Sequence, residues 1–210
     1  MDFSNPFGIE YRVVNEIEHN GQSARVVSGA RNYSTSIDDL WDAITNEERL
    51  PRWFLPISGD LQVGGRYQLK GNAGGEIQRC DPPEKLEVTW EYGGNVSWVH
   101  VTLATESVGT RLTLEHIMSK DAASEEHWKK FGPGATGVGW DLGFMGLGKH
   151  LETGEAVVQE ESHAWMGSDE GKAFIRSCAT GWAEAHIRSG ESAGTANAVA
   201  EATAKAYCGE

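Results

Sequence analysis

Chemistry has few starting points in this chain, and His116 is the best of them. It follows the run Thr110-Arg111-Leu112-Thr113-Leu114-Glu115. Apolar and polar residues alternate there with the period of a half-buried strand, which sends His116 to the same side as Leu112 and Leu114. An imidazole at the end of an apolar face can hydrogen-bond a ligand or move a proton near neutral pH. The plain alternative is a histidine whose ring nitrogens are satisfied by its neighbours. Arg66 and Arg79 could orient an anion if either pointed inward. Arg66 has the opposite parity to Tyr67. Arg79 lies where parity is broken, because Ile77 and Cys80 share a face only across a bulge.

The other candidates say less. His19, His100, His127, His150, His163 and His186 are scattered without metal-ligand spacing. Glu125-Glu126-His127 and Glu160-Glu161-Ser162-His163 read as solvated charge clusters. Gly137-Val138-Gly139 ahead of a helix could seat an anion, but a lone glycine loop is little to build on. The chain holds no H-E-x-x-H, no G-x-S-x-G, no Walker loop and no dinucleotide fingerprint. No catalytic residue, metal or cofactor is expected, and a binding protein is favoured over an enzyme.

Composition narrows the partners. With 210 residues the chain can bury a sizeable core. A net charge of −13 argues against nucleic acid and anionic membrane, both of which reward Lys and Arg. Cys80, Cys178 and Cys208 form no ligand or redox pair, which fits a reduced, cytoplasmic setting. The opening MDFSNPFGIEYR lacks the basic and apolar parts of a signal peptide, and no apolar run approaches the ~20 residues of a membrane span.

The elements that must position these residues are mostly strands. Leu86, Val88, Trp90 and Tyr92 alternate with polar residues. Gly93-Gly94-Asn95 turns the chain, Val99, Val101 and Leu103 share the next face, and Ser107-Val108-Gly109 turns it again. The result is a three-strand antiparallel meander with one apolar side. Before it, strands are predicted at 11–17 and 24–33 around an Asn20-Gly21 hairpin turn, and at 57–61, 66–70 and 76–80. Between them come a helix capped by Ser34 or Ser36 and a second short helix from Asn46 that ends at Pro56. After the meander, 122–130 reads as a short helix and 132–139 as a loop. A helix from Val138 to Leu151 then carries Trp140, Phe144, Leu147 and Leu151 on one stripe, with Gly143, Gly146 and Gly148 beside it. This helix is the best cover for the sheet. The inward set is Tyr67, Leu69, Trp90, Val99, Val101, Leu112, Leu114, Trp140, Phe144 and Leu147, with His116 at one end. Its small residues leave either a void or a close approach of sheet to helix.

Ordered this way, the chain resembles the activator of heat-shock-protein ATPase homologue-like family of the START-like, or SRPBCC, superfamily. The matching residues are Trp41-Asp42-Ala43-Ile44-Thr45, Glu48, Leu50, Trp53-Phe54, Gly64-Gly65, Pro82-Pro83, Leu86, Thr89-Trp90, Gly109-Thr110, Leu112-Thr113-Leu114, His116 and Gly139-Trp140. They span about residues 24–153. The resemblance implies an α+β helix-grip fold, a curved antiparallel sheet wrapped around a long helix, in residues 1–153. It also implies a cavity between sheet and helix in which relatives hold lipids, sterols, polyketides or hormones. The counterpart of the separate N-terminal domain of the eukaryotic co-chaperones is missing.

Residues 154–210 form a helical extension of the kind associated with bacterial members. Ser168 caps one helix, bearing Phe174, Cys178, Trp182 and Ala185, and Thr195 caps another. The extension is expected to cover either the domain's own sheet, around Trp98 and His100, or a second subunit in a homodimer. Three functions follow: binding of a small, mostly apolar molecule in the cavity; a co-chaperone-type interaction module; or a cyclase- or hydrolase-like enzyme using His116 in the same cavity.

Overall fold

The alternation between residues 86 and 116 is realised as three paired strands, the centre of an eight-stranded antiparallel sheet. The computed structural model describes residues 9–210; residues 1–8, part of the opening stretch without signal-peptide features, lie outside the described residues. The strands are β1 (Tyr11–His19), β2 (Gln22–Tyr33), β3 (Ile57–Gly59), β4 (Arg66–Leu69), β5 (Gly74–Asp81), β6 (Lys85–Tyr92), β7 (Asn95–Thr105) and β8 (Thr110–Ser119). Their order across the sheet is β1-β2-β8-β7-β6-β5-β4-β3. Asn20 and Gly21 take positive φ at the β1–β2 turn, the conformation that makes Asn-Gly the preferred hairpin corner.

Register places the inward residues in rows. Val88 faces Val99, which faces His116; Leu86 faces Val101, which faces Leu114; Leu103 faces Leu112. In β5 the pairing shifts between Ile77 and Arg79. That bulge lets Ile77 and Cys80 both reach the inner face. Arg79 stays outside, bonded to Asp81 and Glu87, and Arg66 is outside with Glu91. Neither arginine serves the interior.

The helices are α1 (Ile37–Thr45), α2 (Ala122–Phe131), α3 (Gly134–Thr153), α4 (Gln159–Gly167), α5 (Asp169–Arg188) and α6 (Ala193–Cys208). Ser36, not Ser34, caps α1, and in place of the second short helix there is one 3-10 turn at Leu50–Arg52. The main helix starts four residues earlier than the sequence predicts. The glycines at 134, 137 and 139 are helical, and the expected loop shrinks to Gly132-Pro133. Packing overrides propensity here: a Cβ on Gly137 would sit 2.1 Å from the ring of Trp182. α4 was not foreseen, since its charged residues suggested only a solvated surface. Ser192, rather than Thr195, caps α6.

The last three helices do not cover Trp98 and His100. Trp98 packs on the outer face of the sheet against Ala24, Val26 and Ile117, with His19 at 4.4 Å. α5 instead lies on the far side of α3 and against β1. Asp141 of α3, fully buried, is the centre of that junction. It accepts from the Ile9 N–H at 2.8 Å, from Arg12 Nη2 at 2.6 Å and from Trp182 Nε1 at 2.9 Å. Burial pushes its carboxyl up, while Arg12 and the two N–H donors pull it back. Trp165 and Met145 form a smaller cluster beside it. Among the described residues, no helix is long and apolar enough to cross a membrane.

Candidate functional site

The inner face of the sheet and α3 do not meet everywhere. Between them lies a cavity of about 170 Å³. The strands supply Tyr67, Leu69, Trp90, Val99, Val101, Leu112 and Leu114, and α3 supplies Trp140, Phe144 and Leu147. The ten residues expected inward from strand parity and helical spacing are therefore brought to one cavity. His116 is not on its wall. It stands one row away, behind Trp140, and faces a second hollow.

Sequence reasoning missed the wall built by Ile44, Leu50, Trp53 and Phe54, which come from α1 and the turn that follows it. Ile44 falls at the helical spacing of α1, but Leu50, Trp53 and Phe54 lie in a segment with no period from which a direction could be read. The two α3 glycines of interest divide. A Cβ on Gly143 would find its nearest neighbours, Phe54 and Trp140, at 3.9 Å. A Cβ on Gly146 would sit 2.7 Å from the Trp53 carbonyl. So Gly143 lines the cavity with room for a methyl in ordinary contact, while Gly146 permits a close approach.

Polar groups in this wall are already engaged. Tyr67 donates its hydroxyl to the Thr89 carbonyl at 2.7 Å, and Trp53 Nε1 donates to the Ala43 carbonyl at 2.8 Å. Burial pushes the Tyr67 hydroxyl up, so it stays protonated. No charged side chain lines the cavity among the described residues.

His116 is buried and its protonation pattern follows from its partners. Trp140 Nε1 lies 3.1 Å from His116 Nδ1, and an indole N–H only donates. Nδ1 is thus the acceptor, and the neutral ring carries its proton on Nε2. That proton is directed at Ser97 Oγ, 2.8 Å away, whose own hydroxyl donates to the Trp90 carbonyl at 3.0 Å. Burial pushes His116 down to about 4. The ring is therefore a donor to Ser97 and not a base that could activate it. Chemically the arrangement fixes the orientation of Trp140.

The chain is similar to known proteins in sequence family and in fold. Residues 34–152 match the Activator of Hsp90 ATPase homolog 1-like protein family. The crystal structure of CalU16 from Micromonospora echinospora is similar at 32% identity over 74% of this chain and 94% of that one, with a TM-score of 0.59. Its solution structure aligns over 95% of this chain and 93% of that one, at 26% identity and a TM-score of 0.62, so the likeness extends into the last three helices. Protein MLL2253 from Mesorhizobium loti shares the fold, at 22% identity over 61% of this chain and 97% of that one, with a TM-score of 0.54. No curated protein matches the chain.

Proposed function

The chain belongs to the Activator of Hsp90 ATPase homolog 1-like family, and from that premise we propose that it binds a small, mostly apolar molecule in the cavity between the sheet and α3. The cavity itself carries this reading. Protein interiors rarely leave voids larger than a water molecule. An apolar hollow of about 170 Å³ between sheet and helix is well above that size. An apolar engineered cavity of about 150 Å³ stays dry and takes up benzene, so the size and lining here suit one ring. Recognition is by shape, because the nearby polar atoms are spent on the protein itself.

The enzyme reading draws no support from His116, whose two nitrogens hold Trp140 and Ser97. Action on a chaperone, the role in the family's name, is the second reading, and its measurement is stimulation of an Hsp90 ATPase by the purified chain. The test of the first is titration with toluene, followed by calorimetry and thermal unfolding. One equivalent should bind, and at about 100 times the dissociation constant the folded state should gain about 2.7 kcal/mol. Absence of both heat and stabilisation up to the solubility limit would remove the binding reading.

A further inference from the structure

A second hollow, of about 660 Å³, lies on the other side of Trp140. It runs between the ends of β7 and β8, the helix α2 and the first turns of α3. Phe54, Trp90 and Trp140 belong to the walls of both spaces. Their rings form a partition: Trp140 meets Trp90 edge-on at 5.2 Å and lies near-parallel to Phe54 at 6.2 Å. We propose that the outer hollow is the second chamber of the same binding site, that the Trp140 indole is the gate between them, and that the ligand is a neutral molecule longer than one ring whose more polar end lies outside.

The gate is held by the chain Trp140–His116–Ser97–Trp90 carbonyl, a single hydrogen bond at each step. Breaking the bond to Nδ1 leaves the indole held by its ring contacts with Trp90 and Phe54. It has somewhere to go, because Gly143 puts no side chain beside it and the outer chamber is open on its other flank.

Size and charge choose the ligand. The inner chamber holds about one ring, whereas drug-sized ligands occupy roughly 300–1,000 Å³, so a longer molecule must pass the partition. The outer lining mixes aromatic rings with hydroxyl, amide and imidazole groups, and contains no Asp, Glu or Lys among the described residues. Its one arginine, Arg25, is paired with Glu125 and lies 4.7 Å over the Trp128 ring. A charged end would therefore find no unpaired counter-charge. The helix α6 completes the rim, through Tyr207, whose hydroxyl donates to the Ala135 carbonyl at 2.8 Å. This gives the last helix a part in the site.

The inference rests on the binding function proposed above, and the experiment separates the two. The full chain is titrated with toluene and with N-phenyl-1-naphthylamine, a neutral probe longer than one ring that fluoresces in apolar surroundings. Toluene should displace it. Thr136→Trp and, independently, Ala123→Trp fill the outer chamber; neither residue lines the inner one, and Ala123 is an exposed helix position. Each should weaken the naphthylamine about tenfold and leave toluene within about twofold. Trp140→Phe, which keeps a ring but loses the N–H latch, should speed naphthylamine association several-fold in stopped flow. Toluene binding with naphthylamine unaffected by either filling variant, or not displaced by toluene, overturns the two-chamber site alone. No binding of toluene overturns it together with the function on which it rests.

Discussion

His116 shows how a residue that could do chemistry is put to structural use. Its depressed ionisation has a sign that can be measured. Folded, it titrates near 4; unfolded, near the ordinary 6.5. The unfolded chain therefore takes up the proton first, so this contribution to stability is complete above pH 6.5 and is lost as pH falls towards 4. The loss amounts to roughly 3 kcal/mol at about 1.36 kcal/mol per pH unit. His116→Gln still offers Trp140 an acceptor and does not titrate. Denaturant titrations at pH 6.5 and 4 should show the variant losing roughly 3 kcal/mol less than the parent; equal losses would mean that the imidazole is not shielded as described. Asp141 is the other telling residue. Asp141→Ala strands a partly buried guanidinium and two N–H groups, and a loss of roughly 3 kcal/mol is expected in the same assay. Glu125→Ala, at the half-exposed partner of Arg25, should lose under about 1 kcal/mol.

Among the elements, α3 carries the argument, because its glycines do different work. Gly143→Ala adds a methyl at ordinary contact distance from Phe54 and Trp140 and removes a helix-interior glycine, so it should stabilise the fold by about 1 kcal/mol. Gly146→Ala drives a methyl into the Trp53 carbonyl and should destabilise by roughly 1–3 kcal/mol. Opposite signs three residues apart are the mark of a helix that bounds a cavity on one part of its face and is packed on another. The sheet was readable from the chain because period-2 alternation fixes which residues point inward, and glycine turns fix the register; Val99, Leu112 and Leu114 were placed this way. The missing wall at Trp53 and Phe54 comes from a turn with no period. The start of α3 was hidden for a different reason. Gly134 and Gly137 have the propensity of a loop, and they are helical because Thr203 and Trp182, far along the chain, press against them.

At the scale of the whole molecule, sequence gives the last helices an apolar face but no address, which is why it leaves the sheet around Trp98 and His100 and a second subunit both open as their seat. Their seat is α3 and β1. Deleting residues 155–210 would leave Gly137, Asp141 and Met145 bare and the outer chamber without its rim. The shortened chain should melt lower or self-associate, checked by calorimetry and light scattering; an unchanged melting temperature and monomer–oligomer balance would contradict the docking. The central claim is that the space between sheet and helix is a ligand cavity and not a filled core. Leu114→Trp adds bulk on its inner wall, and the deciding measurement is the unfolding free energy of parent and variant, each with and without saturating toluene. A ligand cavity predicts a variant within about 1 kcal/mol of the parent, with toluene stabilising the parent only. A variant destabilised by roughly 1–3 kcal/mol, as overfilled cores are, beside a parent indifferent to toluene, would contradict the account.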